Sequence, residues 1–257
     1  STFGSAPDVK PYGLLYQWGR KDPFPSAPSL TGNEKTQPVP VYGPDGTEVK
    51  ITYSLWSSVE NNTIEYSIAN PTKCLSNYAQ YNTSRDWLKA SDSNDALWGN
   101  PKGDERNSDN NYVNKGSKSF YDPCPVGYRV PPADVFRTFT TTGGYTQDPS
   151  SFDVVDANGD GVIDAKDYNY GWSFNMKEGS LFFPAAARYD GSYAMLMGSK
   201  SGLWGSYWGN SPAKSYGATT GFGFCVLAFM NEAAGTSVSA TASAGRADAY
   251  SVRCVKE

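Results

Sequence analysis

Two short segments far apart in the chain decide the fold: Tyr121-Asp122-Pro123-Cys124-Pro125-Val126-Gly127-Tyr128-Arg129-Val130-Pro131 and, near the C-terminus, Ser251-Val252-Arg253-Cys254-Val255-Lys256. Each segment places a cysteine beside an arginine and apolar residues. The prolines of the first segment stiffen the chain where it enters regular structure. The second segment is predicted to be a short strand. A bond between the two cysteines would tie this last strand to the middle of the molecule.

The four cysteines of the chain, Cys74, Cys124, Cys225 and Cys254, include no C-x-x-C motif and allow three pairings. We expect Cys124 to pair with Cys254, and Cys74 with Cys225 as the second pair. Closing a loop of roughly 130 residues would stabilise the folded chain by about 4–5 kcal/mol in the chain-entropy model. The alternative, four buried free thiols in a reducing compartment, stays open.

The composition favours an extracellular, loop-rich binding domain. The 257 residues are enough for one large core or two small ones, and the net charge of −4 argues against a nucleic-acid groove. Aromatic residues make up 14 %, with 18 Tyr and 7 Trp, and these side chains suit binding surfaces. The sequence has no apolar run long enough for a membrane span. No signal peptide is present, so we expect a mature or trimmed chain.

The absence of histidine narrows the chemistry. It excludes nucleophiles activated by histidine and zinc sites with histidine ligands. A pair of carboxylates of the glycosidase kind remains formally open.

The segment 156–167 fits the twelve-residue calcium loop. The expected ligands are five side-chain oxygens and one backbone carbonyl, from Asp156, Asn158, Asp160, Val162, Asp164 and Asp167. Gly161 occupies the position of the sharp turn, and Ile163 is expected to anchor the loop to the core. The twelfth position holds Asp rather than Glu, as in dockerin-like loops. We expect a structural Ca²⁺ here, because such loops saturate the ion with protein oxygens.

The remaining pattern is mostly strand and turn. We expect strands at 12–19, 49–55, 181–187, 222–229 and 249–255, and a short helix over 133–140. Segment 60–120 is predicted to contain loops and short helices packed by tryptophans. The alternating segment 238–245 is predicted to be an exposed hairpin.

Several motifs, in order along nearly the whole chain, resemble the Fibrobacter succinogenes major paralogous domain, which commonly ends fimbrillin-like surface proteins of Bacteroidetes. They are the segments 12–25 (YGLLYQWGRKDPFP), 121–131, 183–185 (FPA), 205–208 (GSYW) and 251–256. The resemblance implies an α+β, C-type lectin-like fold with long loop-rich insertions. The sequence has no internal repeat and no clear linker, so we expect a single domain over 1–257. The loop-rich elaboration at 26–120 and the insertion at 141–171, which carries the EF-hand-like calcium loop, are expected to be additions to the family pattern.

The resemblance also implies an extracellular place, at the bacterial cell surface or pilus tip, and attachment as the role. The partners would be a host, bacterial or glycan ligand and other pilus subunits. Some proteins with this fold are variable targets of diversity-generating retroelements, whose variable residues lie in the C-terminal third. By that analogy, the expected ligand contacts are Tyr189, Asp190, Tyr193, Trp204, Tyr207 and Tyr216. The sugar-binding motifs of vertebrate-type lectins are missing.

Two other functions stay open. The same fold class includes formylglycine-generating oxidases, which need a pair of reactive cysteines, and a carboxylate-based enzyme would need two converging acids. A pilus shaft subunit would need a donor strand or a groove. We expect a non-catalytic binding module at a tip position.

Overall fold

The computed structural model describes residues 13–26, 41–43, 45–53, 61–76, 86–92, 94–102, 108, 113–191, 195–197, 200, 202–212, 224–232 and 235–257. The predicted ligand contacts Tyr193 and Tyr216 lie outside these ranges. For Cys225 the path of the backbone is described, but its side chain is not.

Short strands dominate the described residues, with two short α-helices and two 3₁₀ turns. The strands are β1 (Leu14–Gln17), β2 (Phe24–Pro25), β3 (Val41–Tyr42), β4 (Glu48–Val49), β5 (Thr52–Tyr53), β6 (Lys73–Cys74), β7 (Tyr128–Arg129), β8 (Tyr145–Thr146), β9 (Gly171–Asn175), β10 (Ser180–Pro184), β11 (Tyr189–Asp190), β12 (Met195–Leu196), β13 (Trp204–Pro212), β14 (Phe224–Glu232), β15 (Gly235–Ala244), β16 (Ala249–Ser251) and β17 (Val255–Lys256). The helices are α1 (Ile64–Ala69) and α2 (Asp134–Arg137), and the 3₁₀ turns are Ala90–Asp92 and Pro149–Ser151. The fold is therefore α+β and mainly β. No helix in the described ranges has the length and apolar composition for a membrane crossing.

A nine-stranded sheet forms the centre of the molecule. Its order is β12-β11-β16-β13-β14-β15-β8, and β1 joins it by pairing with β16 and with β2. The β13–β16 pair is parallel, whereas the other pairs in this sheet are antiparallel. The sheet thus places β1 beside a strand from the last ten residues of the chain.

Gln17 of β1 shows how this pairing is fixed. Its side chain is fully buried, and its Nε2 donates to the carbonyls of Leu75 (2.6 Å) and Ala247 (2.8 Å). Its Oε1 accepts from Leu75 N and from a guanidinium nitrogen of Arg20, both at 3.0 Å. One amide therefore joins three separate parts of the chain and leaves no buried polar group of its own unpaired.

Two aromatic clusters lie on opposite faces of the sheet. On β13, Tyr207 packs into a cluster rich in phenylalanine, and its neighbour Trp208 packs into a cluster rich in tryptophan. Successive residues of a strand point to opposite faces, so β13 takes part in both cores. Close packing requires Gly205 on the same strand, because a Cβ there would lie 2.1 Å from the ring of Phe229.

The tryptophan cluster includes Trp18, and it confirms that the described part of segment 60–120 is packed by its tryptophans. Trp18 and Trp98 have ring centroids 5.1 Å apart, and Trp87 and Trp208 are also buried. The indole Nε1 atoms of Trp18, Trp87 and Trp208 donate to backbone carbonyls at 3.1, 2.7 and 2.6 Å. Phe183 is buried in the phenylalanine cluster, while its neighbour Phe182 is only partly buried.

The segment 238–245 differs from the prediction of an exposed hairpin. It lies within β15, where Val238 and Ala240 are fully buried. The register against β14 shifts between Val226 and Ala228, so β15 carries an extra residue there. Because of this bulge, even-numbered residues of β15 face opposite sides of the sheet before and after it. Val238 and Ala240 pack in the phenylalanine cluster, and Ala244 packs in the tryptophan cluster. Small alternating residues are buried here because both faces of the sheet are covered.

Other predicted elements occur with shorter or broken bounds. The first strand is Leu14–Gln17 and the helix is Asp134–Arg137. The predicted strand at 49–55 is split between β4 and β5, with residues 54–55 outside the described ranges. The predicted last strand is split into β16, which belongs to the nine-stranded sheet, and β17, which pairs with β7. Between them Arg253 donates to the carbonyl of Phe182.

Candidate functional site

The two opening segments meet at a disulfide bond. Cys124 and Cys254 are joined, with their Cα atoms 5.7 Å apart, which confirms this expected pair. Beside the bond, β7 pairs with β17 through Arg129 and Val255. Lys118 Nζ donates to the carbonyls of Cys124 (2.6 Å) and Tyr128 (2.8 Å). The disulfide and the two-stranded ladder together attach the end of the chain to its middle.

Arg129 and Arg253 donate hydrogen bonds to backbone carbonyls around this bond. Arg129 donates to the carbonyls of Lys115 (2.9 Å) and Gly116 (2.8 Å), and Arg253 donates to Phe182. These two guanidinium groups therefore stabilise the backbone around the disulfide.

The expected bond between Cys74 and Cys225 is not formed. Cys74 is a buried free thiol, packed among apolar residues that include Leu15, Phe24 and Tyr189. Burial raises the pKa of the Cys74 thiol well above its usual range. Cys74 thus behaves as a small core residue and not as an activated nucleophile.

Three of the six predicted ligand contacts are buried. Tyr189 is 0 % exposed, Tyr207 is 2 % and Asp190 is 6 %, so a ligand on the surface does not reach the two tyrosine rings. Tyr207 packs against Phe183 with ring centroids 4.8 Å apart, and its hydroxyl donates to the carbonyl of Pro184 at 2.7 Å. The prediction was wrong for Tyr189 and Tyr207 because glycine and serine neighbours indicated a surface, whereas the sheet is covered on both faces.

Trp204 is the predicted contact that stays partly exposed, and two cations lie over its ring. The guanidinium carbon of Arg188 is 5.2 Å from the ring centroid, and Lys200 Nζ is 4.6 Å from it. Arg188 also forms an ion pair with Asp190 at 3.0 Å. We call Trp204, Arg188 and Lys200 the Trp204 surface. It combines an amphipathic ring with positive charge, a combination that suits ligand binding.

A second carboxylate lies behind this surface. Asp248 accepts from Gly191 N at 2.8 Å and from the hydroxyl of Tyr250 at 3.0 Å. Burial, with the negative charge of Asp190 adding to it, raises the pKa of Asp248 to about 6. Burial and the negative charge of Asp248 raise the pKa of Tyr250. Arg188 Nη1 lies 3.4 Å from the Tyr250 hydroxyl and opposes both shifts.

The sequence reasoning did not single out Arg188 or Asp248. A local signal existed for Arg188, since it lies two residues before Asp190, close enough in sequence for the two opposite charges to pair. Asp248 carried no local signal, because the pairing of β11 with β16 brings it there from a distant part of the chain.

The acidic loop 156–167 is organised by hydrogen bonds to its carboxylates. Asp156 accepts from Gly159 N and Gly161 N, both at 2.7 Å. Asp167 is 6 % exposed and accepts from Ala157 N (2.8 Å) and Asp164 N (2.9 Å). The turn at Gly161 has a φ of +83°, a conformation that favours glycine. The first and last carboxylates of the loop therefore lie at the centre of its backbone turns.

Lys166 neutralises part of this acidic loop. Its Nζ is 3.0 Å from a carboxylate oxygen of Asp164 and 3.4 Å from one of Asp160. Hydrogen bonds from Lys166 lower the pKa of Asp164, and the bond to Asp164 raises the pKa of Lys166. Ile163 is partly buried against the phenylalanine cluster, which confirms its role as the anchor of the loop.

The loop offers hard oxygen atoms, the donors that Ca²⁺ prefers. Within the described ranges, however, no three Asp, Glu, Cys or His side chains are grouped as metal ligands. The carboxylates face backbone N–H groups and Lys166 instead. The chemistry of the donors fits calcium, and binding would require the exposed carboxylates to exchange these partners for the ion.

Comparison of the chain with known protein families, with curated proteins and with solved structures finds no match in any of the three.

Proposed function

We propose that the chain is a non-catalytic, ligand-binding module of a bacterial cell surface or pilus tip. The observation that carries this proposal is the Cys124–Cys254 disulfide, which ties the end of the chain to its middle. Such bonds form and persist in oxidising, extracellular environments. The free Cys74 does not weigh against this, since it is buried away from solvent.

The fold proposed for this module is C-type lectin-like, as the resemblance to the Fibrobacter succinogenes major paralogous domain implies. Support comes from the pairing of β1 with β16, which brings an early strand beside one of the last strands. The short helix α2 and the loop-rich segment 60–120 suit the same architecture. A single domain over 1–257 is part of the proposal, and the strand β13 that serves both aromatic clusters supports it.

The proposed binding face is narrower than the sequence indicated. It centres on the Trp204 surface, with Asp190 holding Arg188 in place. The part of the indole that the two cations leave exposed can contact an apolar group of a ligand, while the cations bind acidic groups. A host, bacterial or glycan ligand with an apolar group and a negative group has this chemistry.

Calcium is the proposed structural ion of the loop 156–167. Asp156, Asn158, Asp160, Asp164 and Asp167 would supply side-chain oxygens, and Val162 its carbonyl. The ion would stiffen the insertion 141–171 against the phenylalanine cluster through Ile163. It is not assigned a role in ligand contact.

The non-catalytic assignment is supported by the state of the thiols. Cys124 and Cys254 are bonded to each other, and Cys74 is buried with a raised pKa. An oxidase-like enzyme of this fold class would require a reactive pair of cysteines instead.

Adhesion of coated beads tests the function. Beads carrying the chain are counted on epithelial cells, bacterial cells and immobilised mucin, with albumin-coated beads as the background. Trp204→Ala is expected to reduce binding at least about fivefold, because aromatic anchors carry much of a binding free energy. The matched control is Tyr145→Ala, which removes an aromatic side chain that is 59 % exposed on β8. Wild-type binding no higher than albumin on all three surfaces would contradict the proposal.

A further inference from the structure

A pocket of about 150 Å³ lies on a part of the molecule that the proposed function does not use. It opens between the turn that follows β1, the helix α1 and the segment 120–121. Its lining includes Arg20, Lys21, Ile64, Ile68, Trp87 and Phe120. None of these residues belongs to the Trp204 surface or to the acidic loop.

The apolar part of the pocket is preformed. Trp87 is 1 % exposed, and its Nε1 donates to the carbonyl of Trp18 at 2.7 Å, which fixes the ring. Ile64 and Ile68 are four residues apart on α1 and therefore share one face of the helix. Thr63 caps this helix by accepting from Tyr66 N at 3.1 Å. The walls are thus held by contacts that need no ligand.

The rim exposes apolar surface to solvent beside this cavity. Phe120 is 78 % exposed and Ile68 is 57 % exposed. Single exposed apolar side chains are common, but two of them bordering one concave site are typical of a binding surface. A ligand that fills the pocket would cover both side chains.

The size of the pocket determines what it can hold. Sites for whole small molecules usually measure about 300–1,000 Å³. A volume of about 150 Å³ is below that range and corresponds to one side chain. Interfaces between proteins commonly use such a pocket for a single buried anchor.

The exposed cation at the pocket rim favours an acidic partner, although the chain carries a net charge of −4. Arg20 is 2 % exposed, and its guanidinium group donates to Gln17 Oε1 at 3.0 Å and to the carbonyl of Lys73 at 2.6 Å. Asp22, which also lines the pocket, lies 3.7 Å from Arg20, so these two opposite charges offset each other and leave Lys21 as the cation that a partner can reach. Lys21 is exposed, and its Nζ lies 4.9 Å from the centroid of the Phe120 ring. No carboxylate of a described residue forms an ion pair with Lys21. The rim therefore presents one cation beside an exposed aromatic ring.

We propose that this pocket binds a peptide segment of a partner protein through one apolar side chain that is followed by an acidic residue. The apolar side chain enters between Ile64, Ile68 and Trp87. The adjacent carboxylate pairs with Lys21 at the rim. Phe120 covers the anchor from the solvent side.

The test uses the four isoleucines of the chain, Ile51, Ile64, Ile68 and Ile163. Protein labelled with ¹³C at the isoleucine δ1 methyl groups gives one signal for each, and two of them report on the pocket. The probe is the peptide acetyl-Ala-Phe-Asp-Ala-amide. We expect the Ile64 and Ile68 signals to shift in a saturable way, while the Ile51 and Ile163 signals stay in place.

Two control peptides separate the anchor from the charge. Replacing Phe by Ala in the peptide should abolish the shifts, and replacing Asp by Asn should weaken affinity about two- to fivefold, the range of an exposed ion pair.

On the protein, Lys21→Gln should weaken affinity by the same factor and Phe120→Ala by about tenfold. Lys177→Gln, at an exposed lysine on another part of the surface, should change nothing.

The unshifted Ile51 and Ile163 signals show that each variant is folded. The proposal is overturned if millimolar peptide leaves Ile64 and Ile68 unshifted, or if the Asn peptide binds as tightly as the Asp peptide. It is also overturned if galactose or N-acetylglucosamine shifts the two signals and the peptide does not, since the pocket would then belong to a sugar.

Discussion

Asp248, which immediately precedes the interior strand β16, shows how a single residue responds to its surroundings. Its carboxyl group faces Arg188, Asp190 and Tyr250, so one cation is shared between two carboxylates. The fold tolerates this arrangement because Gly191 N and the Tyr250 hydroxyl donate to Asp248. Burial of the carboxylate, and secondly the nearby negative charge of Asp190, still disfavour the ionised form, and together they raise the pKa of Asp248.

The raised pKa makes stability depend on pH in a defined direction. The pKa of Asp248 is about 6 in the folded chain, against about 3.9 for an unperturbed aspartate. Between these two pKa values the folded state binds more protons than the unfolded state. The protonated Asp248 therefore contributes to the free energy of unfolding at pH 4, and this contribution is lost as the pH rises through 6. Relative to Asp248→Asn, the wild-type free energy of unfolding should fall by about 2–3 kcal/mol between pH 4 and pH 7.

Urea denaturation at several pH values measures this difference. Glu178→Gln, at an exposed position on the β9–β10 turn, serves as the control and should show a constant difference from wild type. A constant difference for Asp248→Asn as well would mean that the pKa of Asp248 is not raised in the folded chain.

At the scale of elements, the acidic loop between the 3₁₀ turn Pro149–Ser151 and β9 is the clearest candidate for a ligand-dependent change. If calcium binds the folded chain only, a concentration of one hundred times Kd stabilises it by about 2.7 kcal/mol, which corresponds to a rise in Tm of about 5–10 °C. Asp156→Asn combined with Asp160→Asn should remove this rise, because both changes take away charged oxygen ligands.

A thermal scan with calcium and with a chelator measures the effect. Asp153→Asn, just outside the loop, is the matched control and should keep the full rise in Tm. The Ile163 methyl signal gives a second reading, because this side chain belongs to the loop and packs on the core. Equal Tm values for wild type with calcium and with chelator would contradict the calcium proposal.

Sequence reasoning succeeded for elements whose signals are local. The acidic loop is contiguous, its anchor Ile163 follows from its position, and the strand positions follow from apolar patterns. The bulge in β15 was not predictable in this way, because it depends on which residues of β14 lie opposite. The prediction that Tyr189 and Tyr207 contact a ligand failed for a related reason. Both residues have small polar neighbours in sequence, but the pairing of distant strands buries both rings.

Some features of the molecule arise only from long-range contacts and had no signal in the sequence. The pocket beside α1 combines residues from 19–22, 64–68, 87 and 120–121. Arg246 is fully buried and pairs with Asp86 at 3.2 Å and with Asp95, over the ring of Trp18. The Cys124–Cys254 pair was predictable from the two cysteine segments, each of which places a cysteine beside an arginine and apolar residues.

For the whole molecule, the disulfide is the strongest single constraint on the chain. The double variant Cys124→Ser, Cys254→Ser should unfold with a free energy lower by about 4–5 kcal/mol, since the bond closes a loop of roughly 130 residues. Urea denaturation gives the value. A reducing agent should lower the stability of wild type by a similar amount and leave the double variant unchanged. A double variant as stable as wild type would mean that packing alone fixes the last strand.

Export of the chain to an oxidising environment is tested most directly by mapping its cysteines in protein isolated from its source cells, with thiols blocked at lysis. Trypsin should release the peptide 119–129 linked to the peptide 254–256, because cleavage follows Lys118, Arg129, Arg253 and Lys256. We predict that the linked pair is the main form and disappears on reduction. Recovery of both peptides with blocked thiols would place the chain in a reducing compartment and contradict its assignment as a surface-binding module.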